Sequence, residues 1–171
     1  HGHGHPGHSG ARVVEPMTTL VAIVVLTLCT SFFCSLCEAS LYAVSHVQVE
    51  RLAESGSAQG KRLRALRQEI SRPIAAILTL NTISNTVGAT LAGMIAGEVF
   101  DSVGVGVFSV AFTLGILYIS EIIPKTVGVL YADTLAPRLA GVIQGTIWVL
   151  WPLVWVSQKV SALFPKSSHQ G

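Results

Sequence analysis

The chain has 171 residues, of which 50% are hydrophobic and 12% charged, with a net charge of +2. Soluble domains carry about 25% charged residues, so this chain lacks the charge to cover itself with a solvated surface. The small net charge excludes a general basic field for nucleic acid, and none is expected as a partner.

The chain opens with His1, His3, His5 and His8 among glycines and Pro6. Residues 1–16 read as a disordered arm, native or appended, with no functional role; weak transition-metal binding is the alternative. Four stretches then contain no Asp, Glu, Lys or Arg: Pro16 to Cys37, Pro73 to Gly97, Ser102 to Ser120 and Leu139 to Gln158. A helix needs about 20 mostly apolar residues to cross a hydrocarbon core of roughly 30 Å. The first three stretches are predicted to span a membrane, within a transmembrane domain over 17–135. The first runs on into a polar helical face, unlike a cleaved leader.

Between the first two stretches lies a basic segment with Arg51, Lys61, Arg62, Arg64, Arg67 and Arg72. Val47, Val49, Leu52 and Ala53, then Leu63, Leu66 and Ile70, recur at helical spacing, with Gly56 and Gly60 breaking the run. Two short amphipathic helices over about 47–72 are predicted, resting on the membrane surface. Positive charge favours the cytoplasmic side. The next loop carries Glu98 and Asp101 and no Lys or Arg, which puts it and the N-terminus outside.

The fourth stretch has Arg138 before it and Lys159 and Lys166 after it. Trp148, Trp151 and Trp155 fall at i, i+3 and i+7, and tryptophan favours the interface. Pro152 interrupts the helix. A bent juxtamembrane helix over 136–165 is expected, ending in the cytoplasm; a fourth span is the alternative.

Polar residues recur where lipid should be. Ser31, Ser35, Glu38, Tyr42 and Ser45 lie at i, i+4, i+7, i+11 and i+14, one continuous face of the first helix. Asn81, Ser84, Asn85 and Gly88 form one face of the second, and Glu121, Pro124, Lys125 and Gly128 one face of the third. Single serines and threonines usually join helices by hydrogen bonds. That reading fails for Glu121, since an ionisable group at membrane depth marks a functional site by default. It is strained for two amides one turn apart, which expose more polar atoms than one contact satisfies. Gly88, Ala89, Ala92, Gly93 and Ala96 read as packing surface. Pro124 has no N–H, so the carbonyl of Ser120, four residues back, is expected to lose its helical donor beside Glu121. Freed carbonyls at broken membrane helices coordinate cations. Hydroxyl, amide, carboxylate and main-chain oxygens suit Mg²⁺, Ca²⁺ or Na⁺ rather than zinc or copper. Cys29, Cys34 and Cys37 read as small buried residues, since a zinc site would want more thiolates or imidazoles.

Three of these runs together resemble the CorC/cyclin M magnesium transporters. Ser31 to Ser45 (SFFCSLCEASLYAVS) is similar to the first-helix motif of that family, Asn81 to Asn85 (NTISN) to the second, and Ser120 to Thr126 (SEIIPKT) to the third. The likeness covers about Met17 to Leu163. It implies an all-α integral membrane fold with three transmembrane helices per protomer, paired short cytoplasmic helices, a juxtamembrane helix and a homodimer in the lipid bilayer. It implies Mg²⁺ as the substrate, exported in exchange for Na⁺. Carried over by motif, the ion site maps to Ser35, Asn85, Asn81, Glu121 and the Gly128 carbonyl. Ser31, Glu38, Ser84 and Ser120 are vestibule or coupling-ion residues, and Pro124 is the kink. Family members continue into cytoplasmic modules that bind ATP. This chain ends at Gly171 without them, as expected of a separated transmembrane domain.

The alternative function is a magnesium sensor or scaffold that controls other transporters and conducts nothing. An intramembrane hydrolase built on a serine and Lys125 is weaker, because Lys125 lies where a lysine snorkels. No enzyme is expected.

Overall fold

In the computed structural model residues 8–161 are described, and all regular structure among them is helical. In chain order come α1 (His8–Ala43), α2 (His46–Glu54), α3 (Ala58–Gln68), α4 (Ser71–Val99) and α5 (Ser102–Gly115). A π-helical segment (Ile116–Ile122), α6 (Ile123–Leu130), α7 (Ala132–Val149) and α8 (Trp151–Ser161) follow. Among the described residues three helical runs are long and apolar enough to cross a membrane: Val14–Ala43, Ser71–Val99 and Ser102–Leu130.

The helices outrun the charge-free stretches that announced them. The N-terminal arm expected over 1–16 is helical from His8 on, while residues 1–7 lie outside the described residues. The fourth apolar stretch is divided between α7 and α8, with the break at Leu150 just ahead of Pro152. Proline is tolerated in the first turn of a helix, where its N–H would have no partner. Trp148, 80% exposed, and the exposed Trp151 and Trp155 flank that break. The Lys159 ammonium lies 5.4 Å from the centre of the Trp155 ring, a cation–π distance.

The chain divides into two compact units, His1–Phe33 with Thr82–Pro124, and Cys34–Asn81 with Lys125–Gly171. The first unit is built on small residues that let α1 and α4 approach closely. A Cβ on Gly88 would collide with the Thr27 side chain. Ala92 and Ala96, one turn apart and fully buried, pack with Leu20 and Phe112. The Phe108 and Phe112 rings stack at 5.6 Å. Ala89 and Gly93, expected in the same packing surface, do not join it: Ala89 is exposed and nothing lies within 4 Å of a Cβ on Gly93. Asp101 caps α5, accepting the Gly104 N–H at 2.8 Å.

In the second unit α2 and α3 form a helical hairpin. Ser45 and Ser57 are their N-caps, accepting from Gln48 N–H and Gly60 N–H. Gly56 makes the turn between them at φ 80, where a side chain would be strained. Gly60 does not break the run as expected; it lies inside α3 and brings that backbone against the backbone of Leu52 and Ala53. Val49, Ala53, Leu63 and Leu66 fill the hairpin, whereas Val47 points outward at 77% exposure. α3 also packs on α7, whose buried face is Ala136, Ala140 and Ile143.

Candidate cation site

Several threonines and serines on the long helices bond to their own helix. Thr79, Thr90, Ser109 and Thr113 each donate to the carbonyl four residues back, at 2.7 to 2.8 Å. That internal bond makes a hydroxyl tolerable in lipid. Ser31 and Ser35 behave differently. Both are 0% exposed, and the Oγ of each has no hydrogen-bond partner among the described residues. A buried polar oxygen left unmatched costs about 1–3 kcal/mol, so each such atom asks for an explanation.

The first unit holds Ser31, Ser84, Asn85, Ser120 and Glu121. Along α4, Ser84 and Asn85 are half-buried while Ile83, Thr86 and Val87 are exposed, and Gly88 is buried below them. Ser120, fully buried, donates its hydroxyl to the Leu28 carbonyl at 3.0 Å. Its proton is therefore spent on joining the third membrane helix to the first, the ordinary role of such a serine.

Glu121 sits in the π-helical segment, half-buried. The helix there pairs five residues apart: Ile123 N–H bonds to the Tyr118 carbonyl. The next position in that register is Pro124, which has no N–H to give. In that register Pro124 stands opposite the Ile119 carbonyl, five residues back, whereas α-helical spacing sets it opposite the Ser120 carbonyl. π-bulges occur often at functional sites, because they re-aim side chains within an otherwise regular helix.

The second unit holds Ser35, Glu38, Asn81, Lys125 and Gly128. Gly128 is a contact point of backbones. A Cβ built on it would lie 2.8 Å from the Ala39 Cβ, 3.0 Å from the Leu36 carbonyl oxygen and 3.1 Å from the Ser40 nitrogen. That approach carries Lys125, one turn earlier in the chain, to Glu38. Their charged atoms, Nζ and Oε2, are 3.6 Å apart. The ion pair gives Lys125 a partner that its position near the helix end does not announce.

The polar face expected along α1 ends sooner than its spacing suggests. Tyr42 is exposed, and Ser45 lies beyond the helix as the cap of α2. The Ser45 N–H donates to Asp133 Oδ1 at 2.9 Å, which holds the chain in its turn. Arg67 donates from Nη1 to the Leu41 carbonyl at 3.2 Å, a cation at the C-terminal end of α1 where the helix dipole favours it. Neither Asp133 nor this use of Arg67 has a local sequence signal, since each partner is distant in the chain. Among the described residues no three His, Cys, Asp or Glu side chains come together, so a cation would depend on hydroxyl, amide and carbonyl oxygens beside a carboxylate.

Comparison with known proteins agrees with the helices and motifs. The family described as the cyclin M transmembrane N-terminal domain matches residues 21–170. A UPF0053 protein of Synechocystis sp. is 36% identical over 148 residues, covering 86% of this chain and 43% of its own length. A UPF0053 protein of Haemophilus influenzae is 26% identical over 155 residues, covering 91% of this chain and 36% of its own. The chain thus spans less than half the length of these curated relatives. With its three apolar helices it is a multi-pass membrane protein, and it belongs to the CorC/cyclin M (CNNM) transmembrane-domain family.

Proposed function

We propose that the chain carries Mg²⁺ across the membrane, exporting it in exchange for Na⁺. The family is usually linked to Mg²⁺ transport. The proposed ligands are the Ser35 hydroxyl, the Asn85 and Asn81 amide oxygens, the Glu121 carboxylate and the Gly128 carbonyl. Ser31, Ser84 and Glu38 line the approach or serve the coupling ion. All are hard oxygen donors, and one carboxylate offsets part of the ion's dehydration cost. The working unit is a homodimer with the N-terminus outside, as the basic α2–α3 segment favours.

The observation that supports the site most directly is the Ser35 hydroxyl: fully buried, and without the internal bond that Thr90, Ser109 and Thr113 make. Gly128 supports it less directly, because its backbone contact with α1 accounts for the glycine by packing alone. The test is Mg²⁺ flux in proteoliposomes. Glu121→Ala and Asn85→Ala are expected to abolish flux while the protein still folds. Flux from Glu121→Ala equal to that of the parent would overturn the site.

A further inference from the structure

Glu38 and Lys125 form an ion pair on two membrane helices, and charge at that depth is costly unless it does something. The two ends of the pair differ. The Glu38 side chain is 19% exposed and comes one helical turn after the buried Ser35; the Lys125 side chain is 49% exposed on a flexible stem. Their 3.6 Å separation is an ion-pair distance, longer than the about 2.7–2.9 Å of a tight charge-assisted hydrogen bond. The carboxylate is thus held by charge and is not locked by geometry. The close contact of Gly128 with the main chain of Leu36 and Ser40 and the Ala39 Cβ keeps the two helices in register, so the ammonium stays within reach of the carboxylate when it lets go.

We infer that Lys125 is a tethered counter-cation: its ammonium neutralises Glu38 when no metal ion is bound, and an entering hard cation displaces it. The inference rests on the proposed Mg²⁺ site and adds a regulatory partner to it. A carboxylate stripped of water and left alone would bind a divalent ion tightly and release it slowly. A built-in competitor lowers that affinity and neutralises Glu38 in the empty protein, which eases the return of a carrier without its load. No other lysine or arginine is ion-paired to Glu38 among the described residues.

Displacement is read directly on the parent protein. In purified protein in nanodiscs, acylation of Lys125 by a membrane-permeant amine reagent, followed by mass spectrometry, should rise about threefold with saturating Mg²⁺, as the ammonium leaves Glu38. In Glu38→Gln the labelling should be high from the start and indifferent to Mg²⁺. Calorimetry gives the second arm: Lys125→Met should bind Mg²⁺ about tenfold more tightly than the parent, Lys125→Arg about as the parent does, and Glu38→Gln/Lys125→Met no more tightly than Glu38→Gln. If the parent binds Mg²⁺ but Lys125 labelling is unchanged, displacement is wrong and the transport reading stands. A parent that binds no Mg²⁺ overturns both.

Discussion

The backbone of Gly128 lies against Ala39 so closely that an added methyl group would sit 2.8 Å from the Ala39 Cβ. The neighbouring Leu36 oxygen and Ser40 nitrogen are backbone atoms, which cannot swing aside. Gly128→Ala should therefore destabilise the fold by about 1–3 kcal/mol through overpacking. Gly93→Ala, with open space around its Cβ, should be neutral or stabilising by up to about 1 kcal/mol, since alanine favours the helix. Thermal unfolding of the two variants in one detergent separates them, and equal melting temperatures would refute the close approach.

Ser35→Ala and Thr113→Ala each remove a hydroxyl, from different settings. The Thr113 hydroxyl is committed to the Ser109 carbonyl on its own helix. The Ser35 hydroxyl has no partner among the described residues to lose, so its removal should leave stability unchanged or raise it slightly. Yet Ser35→Ala should weaken Mg²⁺ binding about tenfold or more, and Thr113→Ala should leave it alone. Isotherms that do not differ would remove Ser35 from the ligand set.

Asp133 accepts the N–H of Ser45 and so fixes the turn between α1 and α2. The pair is exposed, which discounts its strength, and Asp133→Ala should cost about 1 kcal/mol. Hydrogen exchange should quicken at the start of α2, with α4 and α5 unaffected. Global loss of protection would show that the bond supports more than this turn.

Gly60→Ala should be harsher than a glycine-to-alanine change in an ordinary helix, because the added carbon meets the Leu52 main chain. Leu63→Ala in the same hairpin empties a fully buried position and should cost about 2–5 kcal/mol. Proteolysis within α2 and α3 reports both, and resistance equal to the parent would contradict the packing described.

Much of this arrangement was legible from residues alone. The three spans were announced by missing charge, and Asn85, Ser84 and Gly88 share the less exposed face of α4 that their spacing predicts. Where reading failed, the cause was a change of period or a partner far along the chain. Glu121 and Pro124 were placed by α-helical spacing, but the segment that holds Glu121 is π-helical, which changes the register just ahead of Pro124. Ser45 fits a polar stripe by counting, yet the chain has already turned to make it a cap. Gly60 reads as a breaker and is instead a point of contact, because glycine serves both turns and close approach. The bonds from Asp133 to Ser45 and from Arg67 to Leu41 depend on the finished fold.

The central claim is that the chain moves Mg²⁺ rather than only sensing it. Purified protein in liposomes loaded with a Mg²⁺-sensitive dye, with a Na⁺ gradient imposed in either direction, tests it most directly. The expected result is Mg²⁺ flux that the parent protein catalyses, that reverses with the Na⁺ gradient and that Glu121→Ala lacks. Saturable Mg²⁺ binding with no flux above protein-free liposomes would contradict it and leave a sensor.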